Sequence, residues 1–561
     1  MSGAHQGGDR HVHVAGGVLA AGLAMAVGHL VAGLIDPAVS PTLVVGSAIV
    51  DAAPRTVKVL ATTTLGTADK PVLLAGVTVV TLVVAGGLGA WARSRRGPAV
   101  LAMAVLGLVP VVMVLATHPG GPSPVVPALA GAASGTFALA RLATLADGAT
   151  RPAAYDRIAS GAPALAARRD VLVGLGVTGA ATLTAAALGQ WLGRPVAAAR
   201  AVVLPKPRSA LPPPPEGLER ILPEVTPLRT PVASFYRVDT ALTIPRVDVA
   251  TWHLVVDGMV DREVSIGFAD LLDLGLVERD ITLNCVSNEV GGRYIGSTRW
   301  SGVPVRLLLD RAGVDPGADQ VLSTSVDGMT ISTPVEALMA SGEREALLAV
   351  GMEGRPLPPQ HGFPVRLVTP GLYGYVGATK WVSRLTLTTF ESTKAYWSTR
   401  GWAERAEVKV QTRIDTPTGR TGLGAAPVAI AGVAWAQAGG GVTAVQVRVD
   451  DGPWQQATLG PDLGPVYWRQ WWLRWTPTPG RHVLTARAVD GAGAVQTEKV
   501  ADPAPSGATG WHSVTVSVLP RARGASCLAL RRGVRGGCRS TRRRVPTRRT
   551  ASSRCPRGHW G

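Results

Sequence analysis

Apolar residues run in long blocks through the first third of the chain and in short alternating runs after it. Five blocks, roughly 14–35, 72–92, 99–116, 124–146 and 171–192, approach the ~20 residues with which a helix crosses a bilayer. The stretch 40–66, between the first two, carries Asp51, Pro54, Arg55 and Lys58. It is too polar for a span, and an interfacial or re-entrant segment is expected there. From residue 205 the pattern changes. Residues 205–233 are proline-rich and predict a stiff, extended linker. Residues 234–395 interleave short strands (TWHLVVDG, ITLNCV, PVRLVTP) with short helical patterns (GFADLLDLG, VPVRLLLDRAG), which is an α+β arrangement. Residues 396–519 alternate strictly between Gly, Pro and Asp turns, and DDGPW is a hairpin signal. This predicts an immunoglobulin-like sandwich whose tryptophans serve mainly as core. The chain thus reads as multi-domain: helices over 1–192, a linker over 193–233, an α+β domain, a β-sandwich, and a tail over 520–561.

Charge orients the helical part. Arg93, Arg95 and Arg96 lie between the second and third blocks, and Arg151, Arg157, Arg168 and Arg169 between the fourth and fifth. The loop THPGGPSP has no Lys or Arg. The positive-inside rule puts the arginine loops in the cytoplasm and everything after the fifth block outside. Arg141 is near the inner end of the fourth block and can snorkel. Arg168 and Arg169 precede an Ala/Gly/Thr-rich stretch that resembles a twin-arginine export signal, the other reading being a charge anchor. His29 falls inside the first block. A haem pair would need a second histidine at that depth, and His118 is at a span end, so a polar packing contact is expected.

The net charge is +18, and 13 of the excess positive charges fall in the arginine-rich tail, leaving +5 elsewhere. That tail has no apolar periodicity and holds Cys527, Cys538 and Cys555. Its pattern reads as out-of-frame translation, or else as a basic arm. With the charge confined to it, a nucleic-acid partner is not expected.

Cys285 is the one cysteine before that tail. It has no partner for a disulfide within its domain, which leaves an inert buried thiol or a thiolate that ligates or attacks. The segments ITLNCVSNEVGG, GSTRWSGVPVRLLLDRAGV and LAVGMEGRPLPPQHGFPVRLVTPGLYGYVGATKWV, in that order, resemble the sulfite oxidase family of molybdopterin oxidoreductases. The resemblance covers residues 235–518 and implies a molybdenum–molybdopterin cofactor with Cys285 as metal ligand. It implies that His361, Arg366, Lys380 and the backbone of Ala378 and Thr379 hold the pterin and its phosphate, with weaker matches at Asp239, Thr240 and Asp327. Trp300 matches a pocket tryptophan. Glu289 and Val290 stand where classical members carry arginines, so weak binding of the sulfite dianion is expected. A neutral sulfoxide, reduced rather than oxidised, is the alternative substrate. No haem is expected, since no CxxCH motif and no cytochrome-like segment occur. The implied partners are a small-molecule substrate, the membrane, a separate electron-transfer partner and a second copy joined through the C-terminal domain. A rival from another class is a receptor or transporter with ligand-binding outer domains, or an adhesive sandwich.

Overall fold

The computed structural model describes residues 3–520 apart from 55–56, 58–59, 62–63, 66–67, 118–122, 151–161, 193–201, 240, 419–421 and 425. His118, Arg151, Arg157, Thr240 and the cysteine-bearing tail therefore lie outside the described residues, as does the side chain of Arg168.

The apolar blocks fold as long helices because few polar groups interrupt them and a helix pairs its own backbone groups. They are α1 (Gly3–Ile35), α3 (Asp69–Ala92), α4 (Arg96–Thr117), α5 (Val126–Thr150) and α6 (Ala162–Leu192). All five are long and apolar enough to cross a membrane. The more polar stretch between the first two forms a short helix, α2 (Pro41–Ala52). α1 packs in the middle, against α3, α5 and α6. Small residues allow it. A Cβ on Gly17 would sit 2.1 Å from the Ala85 carbonyl oxygen, and one on Gly131 2.7 Å from that of Ala24. Such close backbone approach is what glycine permits between apolar helices. His29 shares a hydrogen bond with the Ser40 hydroxyl at 3.2 Å, a polar packing contact.

The central domain has two sheets. One comprises β1 (His253–Gly258), β2 (Val264–Gly267), β5 (Gln320–Ser325), β6 (Thr330–Pro334) and β10 (Val382–Thr388) in the order β2-β1-β10-β5-β6, with β1 and β10 parallel. The other contains β3 (Val277–Asn284), β4 (Ile295–Pro304), β7 (Leu347–Met352) and β8 (Arg355–Pro356), with β9 (Arg366–Val368) also on β7. The C-terminal part stacks two four-stranded antiparallel sheets. β11 (Gln411–Thr416), β12 (Val428–Trp435), β15 (Thr458–Leu459) and β16 (Arg469–Trp475) form one. β13 (Val442–Val449), β14 (Gln455–Gln456), β17 (Gly480–Asp490) and β18 (His512–Val518) form the other. Their inner faces bury Ile430, Val445, Val447, Trp471 and Leu484.

The proline-rich segment is extended but not free. The Arg208 N–H donates to Leu276, and the Leu228 carbonyl accepts from the Tyr467 hydroxyl at 2.9 Å and the Trp468 indole at 2.7 Å. It runs in contact with both folded domains, with Val225 and Leu228 buried.

β3 and β4 pair in a register that sets Asp280 opposite Arg299. The carboxylate takes Nε at 2.9 Å and Nη2 at 2.7 Å, and Nη1 donates to the Leu211 and Pro212 carbonyls of the extended segment. Both side chains are about nine-tenths buried. Removing one member of a buried pair leaves an uncompensated charge, at a cost of about 3–5 kcal/mol. Asp280→Ala is therefore expected to lower the denaturant midpoint of the globular region by that order while the helical content in detergent stays the same.

Candidate active site

Cys285 stands where β3 ends. Its N–H donates to the Tyr294 carbonyl at 2.9 Å, and its own carbonyl accepts from the Asn288 N–H at 3.0 Å. The Asn288 side-chain oxygen closes the loop by accepting from the Tyr294 N–H at 2.8 Å. Gly291 makes the return possible. Its φ is +78°, and a Cβ there would meet the His512 ring at 2.3 Å. The loop is thus pinned from below by the C-terminal sandwich, and the thiol is buried. Burial pushes the thiol pKa up, against a smaller downward pull from hydrogen bonds to Ser287. A buried, protonated thiol is a poor nucleophile, whereas coordination to a soft metal deprotonates it outright.

A cavity of about 410 Å³ opens beside Cys285. Asp239, Asp327, Arg366, Ala378, Thr379 and Lys380 also line it, so the fold brings together most of the residues singled out in the sequence. Gly362, at φ +113°, is what lets two of them meet. A Cβ there would lie 3.1 Å from the Cβ atoms of both Arg366 and Lys380. Lys380 is paired with Asp239, which also accepts from Arg237 at 3.1 Å. Burial, with Arg237 nearby, holds the Lys380 ammonium pKa well below its usual value. The Arg366 pKa is likewise pulled down to about 10 by burial. Asp327 holds a turn by accepting from the Met329 N–H.

Four expectations need correction. Trp300 does not line the cavity. It is fully buried, and the Arg366 guanidinium lies over its ring at 5.4 Å, so it is a platform behind the site. His361 is also behind: its Nε2 faces the Val232 carbonyl at 3.2 Å, and its carbonyl accepts from Arg366 at 3.4 Å. The Ala378 N–H is already spent on the Gly374 carbonyl, so it offers no donor to a guest. Glu289 is exposed and outside the lining, and Val290 leans toward Gly510 of the sandwich. The carboxylate is thus not aimed at the site, and the argument for anion repulsion loses its geometry.

Two features were not anticipated. Tyr236 lines the cavity, and burial, with the Cys285 charge next, raises its phenol well above the ordinary value, so it keeps its proton. Its position in FYRVDT was legible, but nothing in the pattern aimed the ring inward. The second is that Ile49, Val50, Ala53, Asp69, Lys70 and Leu73, all from the helical bundle, form part of the same wall.

The donor set fits a polar, anionic guest. Among the described residues, Arg366 Nε on the cavity wall is buried with no protein partner, an arrangement that is costly unless another group supplies the hydrogen bond. Soft sulfur from Cys285 beside Arg366 and Lys380 suits a thiolate-bound metal carried on a phosphorylated organic group.

Burial, and then the Arg366 charge, pulls the His361 pKa down to about 4. Unfolded histidine titrates near 6.5. Between those values the unfolded chain binds a proton that the folded one refuses. The stability contributed is full above pH 6.5 and is lost as pH falls toward 4. His361→Gln is expected to flatten the dependence of the urea midpoint on pH across that window, by up to ~3 kcal/mol at its lower end.

Residues 241–397 match the oxidoreductase molybdopterin binding domain. The chain is 29% identical to mitochondrial sulfite oxidase of Rattus norvegicus over 331 residues, half of this chain and 60% of that protein. It is 28% identical to the human enzyme over the same shares. A nitrate reductase of Nicotiana tabacum is 28% identical over 302 residues, 44% of this chain and 33% of that one. The sulfane dehydrogenase SoxCD of Paracoccus pantotrophus superposes with a TM-score of 0.44 at 23% identity, over 52% of this chain and 83% of that one. The chain thus spans less than two thirds of the curated relatives it matches. The cysteine-centred cavity thus lies in a segment that matches the molybdopterin binding domain, in a chain similar to sulfite oxidases and nitrate reductases over about half its length.

Proposed function

We propose that this chain is a membrane-anchored oxidoreductase whose outward-facing catalytic half transfers an oxygen atom, with two electrons, to or from a small sulfur oxo-compound. The observation that carries the reading is the cavity itself. Cys285, Lys380 and Arg366, whose Nε has no partner among the described residues, converge on one cavity in the matched domain. Cys285 would ligate molybdenum, and Arg366, Lys380, Asp239, Asp327 and Thr379 would hold the pterin and its phosphate. The bound cofactor supplies the two-electron and oxygen-transfer chemistry. The chain's own residues position and dry the site. Trp300 and the His361 carbonyl fix the Arg366 guanidinium, and the Thr379 hydroxyl is held by Ser323. Tyr236 keeps a phenolic proton beside Cys285, available to an oxygen atom of a bound substrate. The C-terminal sandwich is read as an immunoglobulin-like module that buttresses the Cys285 loop and is the candidate homodimer surface.

The bundle supports anchoring. Tracing alternate crossings, the α1–α3 connection, the α4–α5 connection and the end of α6 fall on one face, and Arg93, Arg95 and Arg96 on the other. The positive-inside rule then sets the catalytic half outside. Arg168 and Arg169 fit export of a folded, cofactor-loaded domain.

Purified protein is expected to carry about one molybdenum per chain, and Cys285→Ser to lose turnover with sulfite and with sulfoxides while retaining its fold and most of its pterin. Turnover in that variant, or a wild-type chain free of molybdenum, would sink the reading, the latter favouring a receptor. Steady-state rates with sulfite against sulfoxides decide direction and substrate. In intact cells, external protease is expected to cleave within 205–518 and to spare 93–96; the opposite pattern reverses the orientation.

A further inference from the structure

The cavity beside Cys285 has two ends of different chemistry, and one belongs to the helical bundle. Ile49, Val50 and Ala53, at and just beyond the end of α2, and Leu73 on the first turns of α3, wall it together with Leu242 of the central domain. The contact between halves is close. A Cβ on Gly46 of α2 would lie 3.0 Å from side-chain carbons of Leu242 and Leu74. Lys70 donates to the Ala241 carbonyl at 2.5 Å, and Asp51 accepts from the Tyr396 hydroxyl at 2.8 Å and from Arg400 at 3.3 Å.

At this end the charged groups are engaged by the protein, with Asp69 accepting from the Lys70 N–H at 2.7 Å, and apolar surface is left over. Lys70 is engaged by Ala241, and Asp51 by Tyr396 and Arg400. Ile49 is 43% exposed although it lines a cavity. The rings of Tyr396, Trp397 and Trp402 complete the wall edge to face, and Trp397 and Trp402 add planar apolar surface, while one face of Tyr396 is taken by the Arg400 guanidinium at 3.5 Å. α3 carries this surface onward into residues suited to lipid: Val72, Val79, Val80 and Val83 are all exposed. A guest here would be uncharged, apolar and planar, would be delivered from the bilayer, and would share a cavity with Cys285.

We infer that this end binds a membrane-dissolved quinone, which is the electron partner of the site. The inference rests on the oxidoreductase reading above and names its redox partner. Transfer of one oxygen atom from water to a substrate releases two electrons and two protons. A quinone takes up both pairs: substrate + water + quinone gives oxygenated substrate + hydroquinone, and the reverse serves a reductase. No one-electron carrier is needed for that balance.

The test uses the full chain in detergent and a photoreactive azido-benzoquinone as probe. Peptides spanning 41–53 and 69–74 are expected to be labelled, and decylubiquinone to compete. Val50→Trp, which fills the apolar end, is expected to cut labelling at least tenfold, and Ala53→Phe to do the same should the first variant fold poorly. Leu129→Trp, on an exposed bundle surface elsewhere, is expected to leave labelling unchanged. Labelling absent from both peptides, or indifferent to Val50→Trp and Ala53→Phe in folded protein, overturns the quinone site. Molybdenum content and substrate-dependent reduction of ferricyanide, a small hydrophilic acceptor, are read on the same samples. Loss of those with labelling intact counts against the oxidoreductase reading, whereas ferricyanide reduction without labelling counts against the quinone site alone.

Discussion

A guanidinium buried without a carboxylate is the constraint around which the catalytic domain is arranged. Removing such a charge from water is expensive unless its hydrogen bonds and charge are answered nearby. Arg366 gets a partial answer from the protein: a tryptophan face beneath it and one carbonyl. Its Nε has no partner among the described residues. Gly362, the tight turn after His361 and the short β9 strand all serve to hold that side chain at the cavity wall. That unanswered donor and charge are what the cavity presents to a guest.

Much of this was readable in the sequence, and the reason is local. Spans are long unbroken apolar runs, so composition alone delimits them, and α1, α3, α4, α5 and α6 fall on the five blocks. Cys285, Arg366 and Lys380 sit in short motifs whose order survives folding. What was misread depends on direction rather than identity. A strand residue faces one side or the other by a single step of register, and Trp300 takes the face beneath the cavity. Glu289 follows a buried asparagine yet points to solvent because the loop turns at Gly291. Ala378 lost its role as a donor to a hydrogen bond inside the four-residue helix Gly374–Gly377. Nothing in the pattern of 40–73 says that its apolar positions would meet a cavity 200 residues downstream, because that contact is purely tertiary.

The proline-rich segment shows the same limit. Its composition predicts extension, and extended it is. Extension also leaves its carbonyls unpaired, and these become acceptors for Arg299, Tyr467 and Trp468. A stretch that would separate two bodies instead laces the central domain to the sandwich.

A cavity walled by two parts of one chain is complete only when both are in place. Before α2 and the start of α3 meet the central domain, the Cys285 cavity is open along the side that Ile49, Val50, Ala53 and Leu73 later cover. A bulky guest has free passage then and a narrowed one afterwards. Contact with the bundle therefore narrows the way into the site, and the two halves of the chain together fix what can enter.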